Sequence, residues 1–184
     1  MIRRFAPIES LEALIRRARE ARAAERWAEA TDLYREATRD AVRFGRPFVV
    51  VECLNALGTI AFEVGDLPRA RRRFELSLRL ARSSGHAQGE AGALVGLGAI
   101  ANVRGDYGEA IGHYRSGRWA YRRARSVAGE ARALNNLASV LAGVGRWDAA
   151  LRCYGKARAL ARNPGGGSVR VRDGSRTDEE LVRT

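Results

Sequence analysis

Lysine is nearly absent: of the 33 basic residues only Lys156 is not arginine. We read this as the base composition of a GC-rich genome and attach no function to it. Cysteine is also scarce. Cys53 and Cys153 stand 100 residues apart with no third cysteine, which excludes a disulfide framework and any zinc-type Cys spacing. No apolar run approaches the roughly 18 residues that span a bilayer, because charges interrupt every hydrophobic stretch. The opening residues, Met1 to Pro7, carry Arg3 and Arg4 but no apolar core, and Glu9 and Glu12 follow at once. A secretory signal is therefore not expected, and the reading places the chain in a reducing cytoplasm without membrane attachment.

The residues of enzyme chemistry are missing as groups. There is no Gly-x-Gly-x-x-Gly or Walker-type loop, and Gly92, Gly96 and Gly98 fall inside a helical pattern where close packing explains them. His86 and His113 have no neighbouring ligand at metal-binding spacing. Cys53 and Cys153 sit at core-like helical positions with no His or Asp beside them to make a nucleophile. Carboxylate pairs such as Glu25 with Glu29 lie on polar faces. The expectation is a protein without catalytic residues, cofactor or metal.

What is present is a repeat. A shift of 40 residues superposes Leu14, Leu54, Leu94 and Leu134, and then Ala18, Gly58, Gly98 and Ala138. It also superposes Trp27, Leu67, Tyr107 and Trp147, the alanines 30, 70, 110 and 150, and the aromatics Tyr34, Phe74, Tyr114 and Tyr154. Self-similarity at a fixed period marks stacked repeats. Within one unit Leu54, Leu57, Gly58 and Ala61 follow one helical face, as do Leu67, Ala70, Phe74 and Leu78. Gly65-Asp66, Gly105-Asp106 and Gly145-Arg146 lie between the two halves. There glycine ends the first helix with φ > 0 and aspartate caps the second.

Each unit is thus a helix, a tight turn and a second helix. The spacing predicts first helices over 8–24, 48–64, 87–104 and 127–144, and second helices over 27–44, 67–84, 107–125 and 147–162. The fold expected is an all-α solenoid of four hairpins over 8–162, with repeats at about 8–46, 47–85, 86–126 and 127–162. From Asn163 on, three glycines and a polar composition predict a flexible linker and tail over 163–184.

Over residues 11–162 these columns resemble the tetratricopeptide repeat family. The matching residues are Gly58, Gly65-Asp66-Leu67, Ala70 and Phe74, and again Ala138, Gly145-Arg146-Trp147, Ala150, Tyr154 and Ala157. The family's usual unit has 34 residues. The 40-residue form is similar to that of kinesin light chains, of Leu-Gly-Asn-repeat spindle-orientation proteins and of bacterial signalling regulators. Asn135-Asn136-Leu137-Ala138 carries that likeness. The first unit departs, with Glu25-Arg26 in place of Gly-Asp. The resemblance implies a right-handed superhelix whose first helices line a concave groove. It also implies that Glu52, Asn55, Thr59, Phe62, Asn102, Arg132, Asn135 and Ser139 face that groove and hold a peptide or helix of a partner protein.

Charge separates the two helix sets. First helices two to four carry Glu52, Glu63, Glu90 and Glu130 against Arg104 and Arg132, whereas the second helices account for the net charge of +12. The convex back implied by the resemblance would therefore be basic, through Arg72, Arg73, Arg115, Arg122, Arg123 and Arg158 among others. Such a stripe suits either solubility or, as the alternative function, association with nucleic acid or regulation. Its aromatics are expected in packing columns and not on the surface. The last helix offers Trp147, Leu151, Tyr154 and Leu160 with only Val169, Val171, Leu181 and Val182 after it. Self-association there, or docking of the tail, is expected.

Overall fold

The computed structural model describes residues 8–162; the expected tail at 163–184 lies outside the described residues. Eight helices follow in order: α1 (Ile8–Ala23), α2 (Trp27–Arg43), α3 (Pro47–Glu63), α4 (Leu67–Ser84), α5 (Ala87–Arg104), α6 (Tyr107–Arg123), α7 (Val127–Gly143) and α8 (Trp147–Arg162). No strand occurs among the described residues. Each helix packs on the next, and α3, α5 and α7 also touch one another in sequence. The chain is a right-handed superhelical solenoid of four hairpins, and every boundary falls within two residues of the expected one.

The seven turns share one device. A residue in the left-handed region stands every 20 positions: Glu25, Gly45, Gly65, Gly85, Gly105, Arg125 and Gly145. The amide after it reaches back five residues, as from Asp66 to the Ala61 carbonyl at 2.8 Å and from Arg146 to the Leu141 carbonyl at 2.8 Å. This bond captures a carbonyl that the helix end leaves open. The cap expected of aspartate forms only once. Asp66 accepts from the Arg69 amide at 2.9 Å, whereas Asp106 makes no side-chain cap and pairs with Arg104 at 3.3 Å.

Between the turns, packing depends on small residues facing aromatic ones. Phe74 lies so close to α3 and α5 that a β-carbon on Gly58 would stand 2.8 Å from its ring, and one on Gly96 only 2.4 Å. Tyr114 meets Gly98 and Tyr121 meets Gly129 in the same way. The column alanines Ala30, Ala70 and Ala110 are wholly buried. Tyr34, Phe74 and Tyr114 are each 3% exposed, and their counterpart Tyr154 is 43% exposed. No further helix covers α8 among the described residues.

The two left-handed residues that are not glycine supply a test. A β-carbon in that region costs about 1–2 kcal/mol, which glycine avoids. Arg125→Gly, in a turn whose Arg125 side chain is exposed, is expected to stabilise the fold by up to about 1 kcal/mol. Urea denaturation reads this as a higher midpoint; a lower midpoint would contradict the turn geometry.

Candidate functional site

A cavity of about 590 Å³ opens along the first helices. Ile15, Arg19 and Arg22 of α1 stand at one end and Arg132 and Asn136 of α7 at the other. Glu52, Asn55, Ala56, Thr59, Phe62 and Glu63 of α3 form one wall, with Gly92, Val95, Gly96 and Ala99 of α5 beside them. Tyr34, Phe74 and Tyr121 reach it from the second helices. Of these α5 residues only Val95 is not small, and the places that side chains on Gly96 and Gly92 would take are filled by Phe74 and Asn55. Such a long, partly apolar concavity with a few polar groups is the usual form of a binding site.

Of the residues expected at the groove, the structure brings Glu52, Asn55, Thr59, Phe62 and Arg132 to this cavity. Asn135 and Ser139 do not line it. They occupy the columns of Val95 and Ala99 on α7 and stay exposed beyond its end. Asn136 lines it instead. Asn102, in the column of Phe62, is half-buried and also outside it. Two of the residues inside have structural work as well. Asn55 Nδ2 donates to the Gly89 carbonyl at 2.9 Å, tying α3 to α5, and Phe62 packs on the core around Phe74 and Leu97. Tyr34 and Phe74 were legible only as packing residues, and Tyr121 belongs to no column, so nothing in their spacing marks the three as groove-facing.

The charge of the cavity differs from that of the first helices as a set. Glu90 is bound by Arg82 at 3.1 Å and by Arg123 at 3.2 Å, with its side chain 14% exposed. Glu130 is bound by Arg118 at 3.3 Å and Arg122 at 3.7 Å. Both acids therefore face the second helices across a repeat junction. The cavity itself is lined by Arg19, Arg22 and Arg132 against Glu52 and Glu63, with Arg19 and Glu52 paired loosely at 3.7 Å. Arg132 donates to the Tyr121 hydroxyl at 2.8 Å.

The basic residues of the second helices do not form one uniform stripe. Arg72 and Arg158 are exposed, while Arg73 and Arg115 are half-buried. Arg122 and Arg123 are engaged by the two glutamates, and Arg123 also lies 5.0 Å over the Trp119 ring. Trp119 is 60% exposed, which corrects the expectation that every aromatic there is used in packing. Burial pushes the Cys53 thiol up to about 11, and it raises the Cys153 thiol too. Both are therefore protonated at neutral pH and poor nucleophiles. No group of three or more potential metal ligands occurs among the described residues.

Comparison with known proteins agrees with this fold. Residues 131–163 match the family model of the tetratricopeptide repeat. No curated protein matches the chain by sequence. Among solved structures, aspartyl phosphate phosphatase F from Bacillus subtilis is similar, with a TM-score of 0.79 at 15% identity over 88% of this chain and 42% of that one. A Rap protein complexed with competence and sporulation factor gives 0.77 at 19% identity, over 84% and 43%. BtubC from P. vanneervenii gives 0.71 at 18% identity, over 96% and 73%. The chain spans less than half the length of the first two. One unit thus matches the tetratricopeptide repeat directly, and the rest of the described chain repeats its helix hairpins in the same solenoid fold.

The asparagines separate experimentally. Asn55→Ala removes the hydrogen bond to Gly89 and is expected to cost about 1 kcal/mol. Asn135→Ala, on the exposed part of the same face, is expected to stay within about 0.5 kcal/mol. Equal urea midpoints for the two variants would show that the Asn55 bond does not hold the repeats.

Proposed function

We propose that this protein is an interaction adaptor that holds a peptide or helix of a partner protein in its concave groove, without chemistry of its own. The observation that carries the reading is the cavity of about 590 Å³, walled by α1, α3, α5 and α7. A surface drawn from all four repeats suits an elongated ligand. Val95 and Ala99 of α5 with Phe62 of α3 give it apolar surface, and Asn55, Thr59 and Asn136 offer polar groups along its path. Three arginines against two glutamates favour acidic side chains on the partner. The structural neighbour solved with competence and sporulation factor supports this use of the fold. The reading sets the adaptor in the cytoplasm of a bacterium. No described helix is long and apolar enough to cross a membrane.

Ala99→Arg places a long side chain in the groove from a half-buried position. Capture of a partner from native lysate is expected to drop about tenfold or more with this variant, and not with Arg158→Glu on the opposite helix set. Binding should weaken only mildly as salt rises, where a phosphate backbone held by the convex arginines would weaken steeply. Loss with Arg158→Glu and retention with Ala99→Arg would reverse the assignment.

A second reading concerns α8, where Trp147 is 65% and Leu151 68% exposed. An apolar face of this kind suits contact with a second copy of the chain, most simply as a two-fold dimer. Docking of Leu181 and Val182 on the same face concerns a tail outside the described residues. Light scattering at micromolar concentration is expected to show a dimer that Leu151→Glu dissociates; a monomer at all concentrations would remove this second reading.

A further inference from the structure

A second cavity, of about 320 Å³, lies away from the groove at the junction of the first two repeats. Its apolar side is made by Trp27, Ile60 and Val64, and Arg35, Arg69 and Arg73 stand around the rest. Asp32 lines it too and pairs with Arg35 at 3.3 Å. Arg69 is paired with Asp66 at 3.3 Å. Arg73, half-buried, makes no hydrogen bond or ion pair with any described residue. Burial, and then the like charges of Arg35, Arg69 and Arg72, hold its pKa below the ordinary guanidinium value, yet an arginine stays charged. One cation here is unanswered.

The same place in the next junctions is completed by the chain itself. Forty residues on, Arg35, Arg69 and Arg73 become Glu75, Glu109 and His113, and Thr31 becomes Arg71. Arg71 then fills the slot, bonded to Glu75 at 3.0 Å and Glu109 at 3.5 Å, with His113 on Glu109 at 3.3 Å. In the third junction these positions hold Ile111, Ala149, Cys153 and Arg115, and the first three pack on the core around Tyr114 and Leu141. The second junction thus places a cation among acids, and the third puts the apolar Ile111 where Arg71 stood, with a single arginine, Arg115, in place of three. The first has Thr31, an open cavity and three arginines.

We infer that this first slot is a binding site for a small organic anion, a phosphate ester or carboxylate on an aromatic or apolar body. The anionic group takes the place that Arg71 occupies in the next junction, with the charges reversed. Guanidinium groups match the planar and tetrahedral oxygens of such anions through paired N–H donors. The body of the ligand lies against Trp27, Ile60 and Val64. The volume is at the small end of ligand sites, which suits a single ring and excludes a long chain. The site shares no lining residue with the groove, so it stands or falls independently of the adaptor reading.

Phenyl phosphate is the probe, with inorganic phosphate and phenol as its two halves. In a Trp119→Phe, Trp147→Phe background the remaining emission is that of Trp27. Phenyl phosphate at about millimolar concentration is expected to change that emission and to raise the melting temperature, since it binds the folded state. Phenol is expected to do neither, and inorganic phosphate to bind more weakly. Arg73→Met keeps the apolar stem and should weaken phenyl phosphate at least about tenfold. Arg72→Met, an exposed neighbour outside the cavity, should leave it unchanged. Circular dichroism confirms that each variant is folded. No response to phenyl phosphate up to about 10 mM, or equal loss in Arg72→Met and Arg73→Met, overturns the proposal.

Discussion

The solenoid depends on flat aromatic rings of the second helices entering places where the first helices have almost no side chain. Phe74 is the clearest instance, wedged against Gly58 of its own repeat and Gly96 of the next. That double contact does two things at once. It joins helices within a repeat, as Tyr114 does against Gly98, and it joins successive repeats, as Tyr121 does against Gly129. Interiors are packed to the density of crystals, so a place shaped for a ring and a bare backbone admits little else. A repeat array whose units contact only their neighbours has no other core to fall back on.

The groove follows from the same contact. Gly96 has no side chain because Phe74 takes the space, and this brings the Phe74 ring and the α5 backbone together at the wall of the groove. Phe74 therefore appears both in the core and at the edge of the cavity. Ion pairs act at the other end of the second and third junctions. Glu90 draws Arg82 and Arg123 together from two second helices, and Glu130 ties α7 to α6 through Arg118 and Arg122. By facing that way the two acids leave the groove with a surplus of arginine.

Much of this was legible in the sequence, and the limits have physical causes. The alanine, leucine and small-residue columns mark the buried face, while the Trp27 column turns outward at Tyr107 and Trp147 and the Tyr34 column at Tyr154; the helix ends follow from glycines at regular positions. Glu25 and Arg125 in the left-handed region were not legible, since a non-glycine there is set by the turn and not by its own preference. The direction of a first-helix acid was not legible either. Counting Glu90 and Glu130 with their helix gave the wrong surface, because a side chain can reach across a junction. Asn135 shares its column with Asn55 and Val95, which line the cavity, yet stands beyond its end, because a period gives a face and not where a cavity stops. Trp119 lies in no column, and no period reveals that it is exposed.

The dependence on ring-against-glycine contacts is tested most directly by comparing Gly96→Ala with Gly112→Ala, two helical glycines in adjacent helices. Alanine gains about 1 kcal/mol over glycine in a helix interior. At Gly112 nothing lies within 4 Å of the new β-carbon, so the variant is expected to be more stable by up to that amount. At Gly96 the new carbon meets the Phe74 ring at 2.4 Å, and the overpacking is expected to outweigh the gain, with a net loss of about 1–3 kcal/mol. Adding Phe74→Leu to Gly96→Ala should recover part of that loss, whereas Phe74→Leu alone should only destabilise. If Gly96→Ala is instead as stable as the native chain, or more so, the rings do not set the spacing of the repeats and the account fails.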